Sequence, residues 1–142
     1  MDFIYNDGGR AAAGYKGQTT DCVVRAITIA TGKPYQEAYD AINRISKNGR
    51  AGSRSAKSNA RTGVWKEAYR PYLESLGWKW VPTMKIGQGC KVHLKADELP
   101  KGRIIVRLSK HLTAVIDGVI RDTYDPSRNG TRCVYGYFVQ SC

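Results

Sequence analysis

The sequence has no apolar run near the roughly 18 residues that a transmembrane helix needs. It also lacks the apolar core of a secretory signal, because MDFIYNDGGR at its start carries charges and glycines there. These absences predict a cytoplasmic protein without membrane insertion. The four cysteines are Cys22, Cys90, Cys133 and Cys142, and in that compartment we expect their thiols to be reduced.

Paired metal-binding motifs are missing as well. Cys90-x-x-His93 has ligand-like spacing, but a zinc site needs about four ligands and no second pair accompanies it. The glycine-rich segment DGGRAAAGYKG lacks the strand and the spacing of a phosphate-binding loop. We therefore expect neither a metal nor another cofactor.

Acidic residues are scarce, with 12 against 23 basic residues and a formal net charge of +11. Such an excess predicts attraction to nucleic acid or another polyanion. Five of the basic residues lie in residues 47–61, which are rich in Gly, Ser and Asn and contain no acid. We interpret this segment as a mobile basic loop. The alternative is a helix on which phosphates line up the five cations, spaced 3, 4, 3 and 4 residues apart: Lys47, Arg50, Arg54, Lys57 and Arg61.

The length of 142 residues fits one domain over 1–142. Helical patterns come first: an almost wholly apolar helix from Asp21 to Thr31, a second starting at Pro34, and a third from Thr62 that Pro71 should kink or break. Strand patterns follow at 78–81, 90–94, 103–108 and 132–139. Residues 111–124 read as a hairpin turning at Asp117-Gly118. This order predicts an α+β domain in which the buried N-terminal helix packs on a C-terminal antiparallel sheet.

Cys22 and His111 are the candidate nucleophile and base. Cys22 lies in the first turn of the buried helix, where the partial positive charge of the helix terminus stabilises a thiolate. The alternative is that Cys22 is a small apolar residue of the core. With two histidines in the chain, a base must be His93 or His111, and His111 begins the stronger strand.

A carboxylate on the partner strand of the hairpin would orient the imidazole and stabilise its protonated form. With a two-residue turn, position 124 faces His111, so Asp122 lies on the same face, one step diagonal. Asp125 falls on the other face unless the strand bends before Pro126. Spacing therefore favours Asp122 slightly.

The order of these residues resembles that of papain-like cysteine peptidases, and most of all the bacteriocin leader-processing peptidase domains. Asp21-Cys22 at the helix start and Asp125-Pro126 after the histidine strand carry the resemblance. It implies a papain-like fold with Cys22 as nucleophile, His111 as base, Asp125 as orienting residue and Gln18 as oxyanion donor. On this basis we choose Asp125 over Asp122.

The segments GYKG…DCVVRAI and HLTAVIDGVIRDTYDPS also resemble those of uncharacterised phage and prophage proteins, which implies a bacterial cell or a phage-infected host. The function expected is thiol hydrolysis of an amide bond in a peptide or protein substrate, as a peptidase, amidase or deamidase. The alternatives are a non-catalytic basic accessory protein that binds nucleic acid or a host protein, and a structural or assembly component.

Overall fold

The computed structural model of the chain contains three α-helices and six strands in its described part. The described residues are 2–9, 11–12, 14, 22–48, 66–84, 87, 89–109, 111–128 and 130–140. The helices are α1 (Cys22–Thr31), α2 (Tyr35–Asn48) and α3 (Lys66–Ser75). The strands are β1 (Asp2–Tyr5), β2 (Trp78–Pro82), β3 (Arg103–Leu108), β4 (His111–Ile116), β5 (Val119–Asp122) and β6 (Gly136–Gln140).

All six strands join one sheet in the order β1-β5-β4-β3-β6-β2. Every pairing is antiparallel except that of β1 with β5, which is parallel. Helices precede most of the strands in the chain, so the predicted α+β class is confirmed.

The β4–β5 hairpin has the predicted two-residue turn. Asp117 and Gly118 have φ values of 50° and 80°, the left-handed geometry that such a turn requires. The strands pair from Ile116–Val119 to Ala114–Arg121. When this register is continued beyond these three pairs of residues, the first residue of β4 lies opposite the residues that follow β5.

Helix α1 lies at the centre of the helical layer. All of its residues from Val23 to Ala30 are buried, and it contacts β4, β3, β5 and α2. The burial follows from the apolar composition, since a helix without a polar face must be covered on every side. The core cluster formed by the helices and the adjacent sheet face includes Val23, Ala26, Ile27, Ala30, Ala38, Ile42, Leu73, Ile105, Leu112, Ala114 and Phe138.

A second, smaller core cluster contains sheet residues that alternate with those of the first. Because successive side chains of a strand point to opposite faces, this cluster covers the other face of the sheet. Its buried members are Leu94, Leu99, Ile104, Val106, Leu108, Val115, Ile120 and Val134.

The observed elements differ from three predictions of local structure. Residues 1–20 have no sustained period, which predicts an ordered arm or loop, yet they contain β1, which pairs with β5 at one edge of the sheet. Residues 90–94 form no strand, only an isolated bridge from His93 to Cys133. Helix α3 continues through Pro71, so of the predicted kink or break the break does not occur. The proline removes a single helical hydrogen bond, and its ring is exposed.

Candidate active site

Cys22 is the first residue of α1 and the least buried residue of the helix before its last turn. Its partial exposure contrasts with the fully buried residues that follow it. Among the described cysteines it is the one that carries a free thiol. A thiol at this place is rigidly supported, lies at the positive end of the helix and is still accessible.

His111 begins β4 and lies between Cys22 and Asp122. Its Nε2 is 2.7 Å from Asp122 Oδ2, and the two side chains are 7% and 3% exposed. On its other side, Cys22 is close enough to affect the His111 pKa through a hydrogen bond and through charge. The structure therefore brings a thiol, an imidazole and a carboxylate together where α1 and β4 begin and β5 ends.

The pKa of His111 is raised to about 9. Burial alone would lower it, but the hydrogen bonds and the negative charges of Asp122 and Cys22 outweigh that effect. The imidazole is consequently held in its protonated form at neutral pH, as a thiolate–imidazolium pair requires.

Asp122 is held in its ionised form. Burial would raise the pKa of Asp122, but the hydrogen bond and charge of His111, together with hydrogen bonds from the Thr113 hydroxyl and the Thr123 N–H, lower it. The Arg25 guanidinium of α1 lies 3.5 Å from Asp122 Oδ1, and Arg25 is 2% exposed. Thus the buried carboxylate faces a cation on each side.

The predicted place of Asp125 beside His111 is wrong, because Asp122 occupies it. Asp125 is exposed, and its Oδ1 accepts a hydrogen bond from the Ser127 N–H at 2.9 Å, so it shapes the turn after β5. The reason is the hairpin register, which keeps Asp122 on the face of His111 and directs Asp125 away. The spacing alone had favoured Asp122, and the family resemblance led away from it.

Most residues of the other predicted sites lie outside the described part of the chain. Gln18, Arg50, Arg54, Lys57 and Arg61 are in this group. Lys47 lies in the last turn of α2, which continues to Asn48. The first two residues of the predicted loop are therefore helical.

Cys90 and Cys133 are joined by a disulfide, so the expectation of reduced thiols is wrong for this pair. His93, the other histidine, is 3.3 Å from Glu98 through its Nδ1. Within the described residues no group of three or more His, Cys, Asp or Glu side chains is arranged to hold a metal ion.

Sequence reasoning missed Arg25, Thr113 and Tyr124. Arg25 carried a readable signal, since it is the single charged residue in the ten-residue apolar helix α1, and a buried charge needs a partner. The ring of Tyr124 lies 5.3 Å from that of His111, and Tyr124 is 49% exposed. It forms the solvent-facing side of the imidazole.

A groove of about 560 Å³ lies at the other end of α1, lined in part by Thr31, Lys33, Trp78 and Arg103. Cys22, His111 and Asp122 do not line it. The groove is therefore separate from the cysteine–histidine site.

Comparisons with protein-family models, curated proteins and solved structures found no match to this chain. None of the helices described here is both long enough and apolar enough to span a bilayer.

Proposed function

We propose that this protein is a thiol hydrolase of papain-like type that acts on an amide bond, with Cys22 as nucleophile, His111 as base and Asp122 as orienting residue. The observation that carries the proposal is the position of His111, buried between an accessible thiol and an ionised carboxylate. Nucleophile, base and orienting group within mutual reach are the recurring arrangement of covalent hydrolases.

The chemistry follows from the two ring nitrogens. The Asp122 carboxylate contacts the Nε2 atom of His111. The Nδ1 atom of His111 is left to accept the proton of the Cys22 thiol. The thiolate sulfur attacks the carbonyl carbon of the amide and forms a tetrahedral oxyanion. The C–N bond then breaks as the imidazolium donates its proton to the leaving amine, and a thioester remains on Cys22.

Water completes the cycle. His111 accepts a proton from the water while the water oxygen attacks the thioester carbonyl. The C–S bond then breaks, which releases a carboxylic acid and regenerates the thiol. The backbone N–H of Cys22, at the first helical position, has no partner within the helix and is one donor for the oxyanion. Gln18, before the helix, is the second donor that the family resemblance implies.

The test is the rate of alkylation of Cys22 by iodoacetamide as a function of pH, read at the Cys22 peptide by mass spectrometry. We expect wild-type Cys22 to react well below pH ~8.5, the range of a free thiol. His111→Ala should abolish this advantage, and His93→Ala, the matched control, should keep it. If Cys22 is inert, or reacts identically in wild type and His111→Ala, the hydrolase proposal is wrong and Cys22 is a core residue.

A second candidate function is the binding of a polyanion, favoured by the net charge of +11. The nucleic-acid affinity of a phosphate-contacting protein falls steeply as salt rises. Binding of a single-stranded oligonucleotide would be measured by fluorescence anisotropy at several salt concentrations. A steep salt dependence that disappears when the five basic residues of 47–61 are neutralised would support this function, and affinity that vanishes near physiological salt would contradict it.

A further inference from the structure

The Asp122 carboxylate is held at both of its oxygens. Oδ2 receives the His111 Nε2 contact and the Thr113 hydroxyl, each at 2.7 Å. Oδ1 accepts the Thr123 N–H at 2.7 Å and faces Arg25 Nη2 at 3.5 Å. The carboxylate cannot turn about its Cβ–Cγ bond without giving up contacts on both sides.

Arg25 is the component of this set that comes from the helix. It lies three residues after Cys22, and positions i and i+3 of a helix share a face. The chain after β1 passes close to the backbone of Arg25, since a Cβ on Gly8 would lie 3.2 Å from the Arg25 carbonyl oxygen. Arg25 is thus a buried charge in an apolar helix, one turn from the thiol.

The charges in this cluster balance when Cys22 is the thiolate of the proposed mechanism. A Cys22 thiolate and the Asp122 carboxylate carry two negative charges, and the His111 imidazolium and Arg25 carry two positive ones. Burying a single unpaired charge is costly, whereas a paired and hydrogen-bonded set is tolerated. The helix therefore supplies both the reacting thiol and a cation for the residue that orients its base.

We infer that Arg25 is a positioning residue of the thiol site, which holds the Asp122 carboxylate in the orientation that aligns His111 with Cys22. The inference rests on the proposed hydrolase function. It deepens that function by linking the nucleophile helix to the base through a carboxylate that the helix itself anchors.

Arg25 could act by positioning Asp122 or only by its charge, and these two roles predict opposite changes in the His111 pKa when Arg25 is removed. The groups that face the ring are Asp122 at the end of β5, Cys22 on α1 and the Tyr124 ring. If Arg25 acted only through its charge, its removal would raise the His111 pKa, because a nearby cation would be gone. If Arg25 holds the carboxylate in place, its removal lets Asp122 turn away, and the His111 pKa falls.

The experiment is an NMR titration of the His111 ring in wild type, Arg25→Met and Arg25→Lys, with His93→Gln in each to leave one histidine signal. We expect the His111 pKa to fall by about one unit or more in Arg25→Met, and Cys22 alkylation near pH 7 to slow about tenfold. In Arg25→Lys the charge stays, but the side chain ends one atom short of Nη2, so a smaller fall is expected. An unchanged or raised His111 pKa in either variant overturns the inference. If Arg25→Met does not fold, Arg25→Lys decides by itself, because charge alone predicts no change there.

The outcomes separate this inference from the hydrolase proposal. If alkylation of Cys22 does not depend on His111 in the wild type, the hydrolase proposal fails whatever Arg25 does to the titration. If the alkylation depends on His111 while both Arg25 variants leave the titration and the alkylation profile unchanged, the hydrolase stands and the role of Arg25 is refuted.

Discussion

Loss of the Cys90–Cys133 disulfide should destabilise the fold substantially. The two cysteines are 43 residues apart in the chain. Closing a loop of that length in the unfolded chain removes entropy equivalent to about 4 kcal/mol at 25 °C. Since small domains have net stabilities of about 5–15 kcal/mol, this bond would contribute a large fraction of the total.

The change to make is the double substitution Cys90→Ser and Cys133→Ser, compared with oxidised wild type by urea unfolding followed through tryptophan fluorescence. With a urea dependence of about 2 kcal/mol per molar, we expect the midpoint of the variant to fall by about 2 M. Dithiothreitol should lower the wild-type midpoint by a similar amount and leave that of the variant unchanged, which is the matched control.

The closed segment contains β3, β4 and β5, and therefore both His111 and Asp122, but not Cys22. The bond therefore limits the conformations that the segment with the base and its carboxylate can adopt in the unfolded chain. Midpoints of wild type and variant that agree to within about 0.5 M would refute the reasoning, because the entropy of a 43-residue loop cannot be that small.

Three further predictions concern the site and the sheet. Asp122→Asn should slow Cys22 alkylation near pH 7 about tenfold or more, because the imidazolium loses its anionic partner. The control variant Asp125→Asn should change the alkylation rate less than about twofold. Equal effects of the two substitutions would restore Asp125 as the orienting residue. The folded state holds the pKa of Asp122 below its usual range, so between that pKa and about 3.9 the unfolded state binds more protons and the free energy of unfolding should fall as pH falls. Urea unfolding from neutral to acidic pH should show a smaller loss of stability in Asp122→Asn than in wild type. An identical loss of stability in both proteins would contradict the lowered pKa. Gly136→Ala should destabilise the fold by about 1–3 kcal/mol, because a Cβ there would overlap the Trp80 ring in the adjacent strand; an unchanged thermal midpoint would show that the ring moves freely.

The hairpin was predictable because its determinants are local. Asp117-Gly118 imposes the turn, the turn imposes the register, and the register places Asp122 beside His111. The resemblance to leader-processing peptidases favoured Asp125 through a two-residue motif. Here the physical constraint of strand alternation was the better guide.

The disulfide and β1 were not predictable, because both depend on partners distant in the chain. Cys90 lies in the segment before β3 and Cys133 in the segment before β6, 43 residues apart in the chain. Strand β1 has four exposed residues and no alternating pattern to reveal it, and its partner β5 follows more than a hundred residues later. Parallel pairing of this kind leaves no local signal in the sequence.

By itself the sequence determined the helix that carries Cys22, the hairpin that carries His111 and the α+β class, because apolar periodicity and turn chemistry act over a few residues. Only the tertiary structure decided that helix α1 brings Cys22 and Arg25 to the His111–Asp122 pair of the hairpin, where the four side chains form one charge cluster. Packing the apolar helix against β4 and β5 removes these side chains from water, and in that environment each charge needs a partner that only the fold can supply.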